Sequence, residues 1–196
     1  DNVDFLERNK THSIYISNAL YRPVERGRGT AEDVVAMSSI VLDVDMFDED
    51  GAHAAQNLPR TDDEAISIIA HAPEPTIIVR TGHGFQFWWV FDEPVILDST
   101  EKKNRAASAI RNFQYPIRDH ARSLGFQVDQ TDDVGRIWRL PGYRNMKIVN
   151  KPVPVECVDM GGSRHKVKSF GLDIVGLPTD PAPAATPEVK TTAKPR

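Results

Sequence analysis

Apolar residues along this chain fall into two rhythms. Unbroken or alternating apolar runs predict strands over residues 12–20, 39–44, 76–79, 85–91 and 153–158, the fourth of them rich in aromatic residues. Spacings of three and four predict helices. Thr61 with Glu64 three positions later has the form of a capping box, and Pro73 ends the helix it opens. Asp98 with Glu101 opens the longest helix, whose apolar face reads Ala106, Ile110, Phe113, Ile117, Ala121 and Leu124. Pro116 inside it predicts a kink or a split, and Gly125 closes it. Gly82 and Gly84 fall between two strands, as a tight connection requires. Strands and helices mix without strict alternation, which points to an α+β fold with hairpins beside a helix-covered sheet.

The rhythm stops near Pro178. Residues 178–196 hold five prolines and no aromatic residue, too little apolar surface to offset the entropy of ordering. The expected organisation is one domain over 1–177 and a Pro-rich linker or tail over 178–196, the domain being one module of a longer protein. No internal repeat is visible.

Composition narrows the classes. With 196 residues and 40% hydrophobic content the chain can build one real core. A formal net charge of −4 means that any nucleic-acid surface must be a local patch. Cys157 alone permits neither an internal disulfide nor a cysteine-based zinc site. No apolar run reaches the roughly 18 residues of a membrane span, and the N-terminus lacks a signal-peptide layout, so a soluble protein of the cytoplasm is expected.

Four stretches carry possible chemistry. Asp43 and Asp45 end an apolar strand, and because side chains alternate along a strand they project from one face. Two such carboxylates suit Mg²⁺ or Mn²⁺, which prefer oxygen ligands; a solvated strand-end turn is the plain alternative. In Arg80-Thr81-Gly82-His83-Gly84-Phe85-Gln86 the glycines let the backbone approach a ligand, or serve hairpin geometry alone. Asp129, Asp132 and Asp133 offer a third carboxylate; Asp129, after the apolar Phe126 and Val128 at an expected strand end, is favoured over an all-surface loop. Residues 136–147 hold Arg136, Arg139, Arg144 and Lys147 and no acid, a grip for triphosphate or nucleic-acid backbone. Within it Trp138 is read as core. Acid for metal beside base for phosphate is the arrangement that phosphoryl transfer needs.

Taken in this order, the four stretches resemble the archaeo-eukaryotic primase superfamily, in its primase-polymerase branch of phages, plasmids and mobile elements. The resemblance spans roughly residues 14–158. Asp43-Val44-Asp45 is similar to the family's first motif, a metal-binding acid pair. Thr81-Gly82-His83-Gly84-Phe85-Gln86 is similar to its Ser-Gly-x-Gly-x-His turn, with Gln86 in place of histidine. Asp129 falls where the family has its third acid. Arg139-Leu140-Pro141-Gly142-Tyr143-Arg144-Asn145-Met146-Lys147 looks like the family's Arg-x-Pro-Gly-Thr-x-Asn-x-Lys signature, with Tyr143 in place of threonine.

The resemblance implies an RRM-like sheet unit packed on a smaller α/β unit, with the active site in the cleft between. It implies a DNA primase or polymerase, a nucleotidyltransferase of DNA replication that joins NTPs or dNTPs on single-stranded DNA. Asp43, Asp45 and Asp129 would be catalytic and hold Mg²⁺ or Mn²⁺. Thr81, Gly82, His83, Gly84, Gln86, Arg139, Asn145 and Lys147 would bind nucleotide, and Arg26, Arg28, Arg136 and Arg144 nucleic acid. The Pro-rich tail fits the family habit of joining this domain to a helicase. A replication-initiator module that binds DNA without catalysis, and a glycosyltransferase using Asp-x-Asp for Mn²⁺, stand as alternatives.

Overall fold

A computed structural model describes residues 8–9, 11–49, 53, 55–148 and 150–172. The boundary at 177 and the tail over 178–196 lie outside the described residues.

The centre of the fold is an antiparallel five-stranded sheet in the order β2-β3-β5-β4-β9, made of β2 (Ala19–Tyr21), β3 (Val34–Asp45), β4 (Ile77–Arg80), β5 (Gly84–Ile96) and β9 (Glu156–Asp159). Two short ribbons flank it: β1 (Tyr15–Ser17) with β6 (Ile137–Arg139), and β7 (Arg144–Asn145) with β8 (Val153–Pro154). Among the described residues the α-helices of more than one turn are α1 (Asp62–Ser67) and α2 (Thr100–Ser123). This is the expected α+β class. No described helix is long and apolar enough to cross a membrane.

Alternation along β3 and β5 sorts the sheet into two faces. Ile40, Leu42 and Val44 of β3 join Phe85, Phe87, Trp89 and Phe91 of β5 in the main core, against Ala106, Ala109, Ile110, Ile117 and Ala121 of α2. Each of these buried aromatic rings contributes about 2–3 kcal/mol by leaving water. The residues between them, Asp43, Asp45 and Gln86, are left for the opposite face. Asp43 is the cross-strand partner of Gln86, and Asp45 of Gly84.

Several elements differ from the sequence reading for local reasons. The strand expected over 12–20 breaks at Asn18, so that β1 pairs with β6 while β2 pairs with β3. Asn18 bonds to both partner strands. Its Nδ2 donates to Ser39 O (2.7 Å), its Oδ1 accepts from Trp138 Nε1 (3.0 Å), and its carbonyl accepts from Ser38 N (2.9 Å). The strand expected over 153–158 likewise divides between β8 and β9 at the buried Val155. Ser99, not Asp98, caps α2: its Oγ accepts from Lys102 N, while Asp98 pairs with Lys102 Nζ at 2.7 Å. Pro116 does not split α2, which runs unbroken for 24 residues, because buried Gln114, Ile117 and Ala121 pin the helix on both sides of it. Leu124 is exposed rather than part of the core face. No strand forms around Phe126 and Val128; Asp129 stands on a loop.

Candidate active site

Asp43 and Asp45 close the far end of β3, on the face away from α2. Opposite them the β4–β5 hairpin turns through residues 81–84, closed by Thr81 N donating to Gly84 O at 2.8 Å. Both glycines of this turn are obligatory. Gly82 has φ +86° and a Cβ there would lie 2.2 Å from Val153 Cγ2; Gly84 has φ +156° and its Cβ would lie 2.2 Å from Val44 O. The turn is thereby pressed against the acid-bearing strand.

The basic segment forms the third wall. Alternation through β7 turns Asn145 inward and Arg144 outward. Asn145 Nδ2 donates to Thr81 O (2.9 Å) and its Oδ1 accepts from Lys147 N (3.0 Å), so one amide fixes both the glycine turn and the lysine. Arg139 Nη1 donates to Ser13 Oγ (3.1 Å), which also accepts from Met146 N.

Together these walls enclose a polar cleft of about 230 Å³, lined by Asp43, Asp45, Thr81, His83, Gln86, Arg136, Arg139, Asn145 and Lys147 with His53. Nine residues singled out from three of the four stretches of sequence thus meet in one place. An adjoining cavity of about 210 Å³ shares Asp45 and His53 with the cleft and adds Asp129. Gly82 and Gly84 shape the turn and line a further cavity beside His83. Arg144, exposed, donates to Pro152 O (3.2 Å), and the exposed Arg26 and Arg28 precede β3; none of the three lines the cleft.

The three acids of residues 129–133 are sorted by their partners. Asp132 binds Arg111 through two nitrogens at 2.9 and 2.6 Å. Partial burial works against its charge, but hydrogen bonds from Gln130 and Arg111 outweigh it and hold the carboxyl below its ordinary value. Asp133 accepts from Gly135 N at 2.8 Å and shapes a turn. Asp129 remains to face the cavity beside Asp45. Its loop is anchored by fully buried Gln114, whose Nε2 donates to Val41 O (3.1 Å) and Thr131 Oγ1 (2.8 Å) and whose Oε1 accepts from Thr131 N (3.1 Å).

Electrostatics mark the acid pair. Burial, then the charge of Asp45, push the Asp43 carboxyl up to about 7, against the pull of Arg136, His53 and Arg139. Arg136 Nη2 lies 3.9 Å from Asp43 Oδ2, and His53 Nε2 lies 3.0 Å from Asp45 Oδ1. Two carboxylates on one face of a strand, short of compensating charge, fit a divalent cation that takes oxygen ligands. Among the described residues no three His, Cys, Asp or Glu side chains are gathered into a closed metal cage. An open pair suits Mg²⁺ or Mn²⁺, which are usually held by one or two carboxylates with substrate phosphates and water completing the shell.

Two members of the site carried no signal in the sequence. His53 stands between Asp45 and Lys147, whose Nζ lies 2.8 Å from His53 Nε2. Asp48 lies 2.6 Å from His83 Nδ1 through Oδ2. Neither belongs to a periodic element or a recurrent motif; His53 reaches the cleft, and Asp48 reaches the cavity beside it through His83. Trp138 is core, as expected: it is buried against Trp88, ring centroids 6.1 Å apart.

The helix-backed antiparallel sheet that carries the acid pair, the glycine turn and the basic Pro-Gly segment shares its fold with a solved AEP domain. Among solved structures, the AEP domain of the primase-polymerase of cyanophage S-2L superposes with a TM-score of 0.53 over 85% of this chain and 74% of that one, at 17% identity. The primase RepB' aligns with a TM-score of 0.45 over 87% of this chain and 48% of its own, at 18% identity. No family model matches the chain, and no curated protein matches it in sequence.

Proposed function

We propose that the chain is a template-directed nucleotidyltransferase, a primase-polymerase that joins NTPs or dNTPs on single-stranded DNA in the replication of a phage or other mobile element. One observation carries the reading: Asp43, Asp45, Thr81, Gln86, Arg139, Asn145 and Lys147, far apart in sequence, line one cleft. The fold shared with a primase-polymerase domain supports it.

In this reading Asp43 and Asp45, with Asp129 from the adjoining cavity, hold Mg²⁺ or Mn²⁺. Such ions, when bound, lower the pKa of an attacking hydroxyl and stabilise charge on a transferring phosphoryl group. Lys147, Arg139 and Asn145 take the triphosphate and orient its α-phosphorus toward the acid pair; Arg136 keeps positive charge beside Asp43. A 3′-hydroxyl gives its proton to water, its oxygen bonds to that phosphorus, the α–β phosphoanhydride bond breaks, and pyrophosphate leaves with the bonding electrons. The exposed Arg144, Arg26 and Arg28 would meet the template's backbone outside the cleft. A helicase, in the same chain or another, is the expected partner.

Gln86 keeps a second reading in view, a DNA-binding initiator module without catalysis, since a neutral amide stands where the motif has histidine. The Asp-x-Asp glycosyltransferase reading leaves the basic segment unexplained. The test is primer synthesis and extension on single-stranded DNA with labelled NTPs and dNTPs and each metal. Incorporation that follows the template supports the proposal; DNA binding without incorporation under every metal selects the initiator module.

A further inference from the structure

His83 presents an anomaly inside the cleft. It is 8% exposed, and its Nε2 is buried with no hydrogen-bond partner among the described residues. A buried polar atom is costly to leave unpaired, and a native fold keeps one where a ligand completes it. The other ring nitrogen is committed: Nδ1 lies 2.6 Å from Asp48 Oδ2, so Nδ1 carries the proton, and the unpartnered Nε2 belongs to a ring that lines the cleft. The ring is held from the backbone as well. It sits between the two obligatory glycines, and its carbonyl accepts from Met46 N at 2.9 Å, tying the turn to the loop that bears Asp48. His53, 6.4 Å away and edge-on, is engaged by Asp45 and Lys147. Gln86, also buried, leaves its Oε1 unpaired in the same cleft.

We propose that Asp48 and His83 form a carboxylate–imidazole dyad that supplies the cationic phosphate contact which Gln86, a neutral amide, does not. The inference rests on the nucleotidyltransferase reading and adds to it a residue, Asp48, and a role for each partner. His83, protonated on both nitrogens when phosphate is bound, bridges Asp48 and a phosphate oxygen; Asp48 is a positioning residue that acts only through the ring. A cationic donor has thus moved from the end of the glycine turn to its centre. The ligand group recognised is the polyphosphate, not the sugar or the base.

The test is calorimetric binding of Mg²⁺-dATP and of Mg²⁺-tripolyphosphate to the full chain. Replacing a charge-assisted hydrogen bond by a neutral one in His83→Gln should weaken both ligands about tenfold. Asp48→Asn should weaken them about threefold or more, because the ring loses its anchor. Adding Gln86→His to His83→Gln should restore most of the loss, a rescue that a merely structural role of His83 would not produce. Melting curves check each variant's fold, and Asp48→Asn carries the test if His83→Gln does not fold. Wild-type protein that binds both ligands while His83→Gln and Asp48→Asn bind them equally well overturns the dyad alone, as does failure of the rescue. Wild-type protein that binds neither ligand overturns the nucleotide-site reading and the dyad with it.

Discussion

Asp43→Asn separates the demands of folding from those of the site. The Asp43 carboxyl stands at about 7, raised first by burial and then by Asp45, against an ordinary value of 3.8. A raised carboxyl means that the folded chain holds a proton which the unfolded chain gives up. Stability from this group is therefore complete below pH 4 and is lost as pH rises toward 7. A shift of roughly three units corresponds to about 4 kcal/mol at 1.36 kcal/mol per unit. The side chain is 27% exposed, and solvent screening through the open cleft reduces the expected effect to about 1–2 kcal/mol. Asparagine never ionises, so the variant should be more stable than wild type by that amount at pH 8 in chelator, with the gap narrowed by pH 4.5 and closing below pH 4. For a domain of this size the gap is about 2–8 °C in melting temperature. Thermal melts from pH 4.5 to 8.5 in EDTA measure it. Mg²⁺ should raise the wild-type melting temperature and leave the variant's unchanged. Asp45→Asn, which removes the second cause of the shift, should narrow the wild-type pH dependence without abolishing it. Equal melting at pH 8, or a gap as large at pH 4.5 as at pH 8, would refute the reasoning.

Other outcomes follow from the packing. Asp129→Asn should remove most nucleotide incorporation, whereas Asp132→Asn, which loses the Arg111 pair, should leave incorporation within about threefold and cost no more than about 1 kcal/mol; steady-state kinetics and melts on both variants decide it. Gln114→Ala deletes the side chain that holds Thr131 and Val41 together, and should cost about 2–4 kcal/mol by denaturant titration and lower incorporation by loosening the Asp129 loop. Gly84→Ala, with a Cβ 2.2 Å from Val44 O, should cost about 3 kcal/mol or more; Gly142→Ala, whose Cβ meets open space, should cost about 1 kcal/mol. Equal costs at the two glycines would show that the turn is not pressed on β3.

Much of this architecture was legible in the chain. The even-numbered apolar residues of β3 and the odd-numbered aromatic residues of β5 set which face meets α2, and that sorting alone puts Asp43 and Asp45 on the face away from it. The capping box at Thr61 and Glu64 formed as spaced, with Glu64 N donating to Thr61 Oγ1. What could not be read were decisions made by tertiary partners. Asn18 and Val155 end strands whose local pattern continues, because different sheets claim the two halves. The strand end that favours Asp129 in the sequence does not form; what sets it apart from Asp132 and Asp133 is that Arg111 and Gly135 take those two. His53 and Asp48 belong to no element with a period to detect. Where a residue's role came from alternation or spacing it was visible; where it came from a partner that only the folded chain supplies it was not.

The most direct measurement is anomalous diffraction from crystals grown with Mn²⁺ and a nucleotide whose α–β bridge cannot be cleaved. The account expects Mn²⁺ between Asp43 and Asp45, with the triphosphate extending toward Arg139, Asn145 and Lys147. Mn²⁺ elsewhere, or a nucleotide bound outside the cleft while Asp43 and Asp45 stay bare, would contradict it.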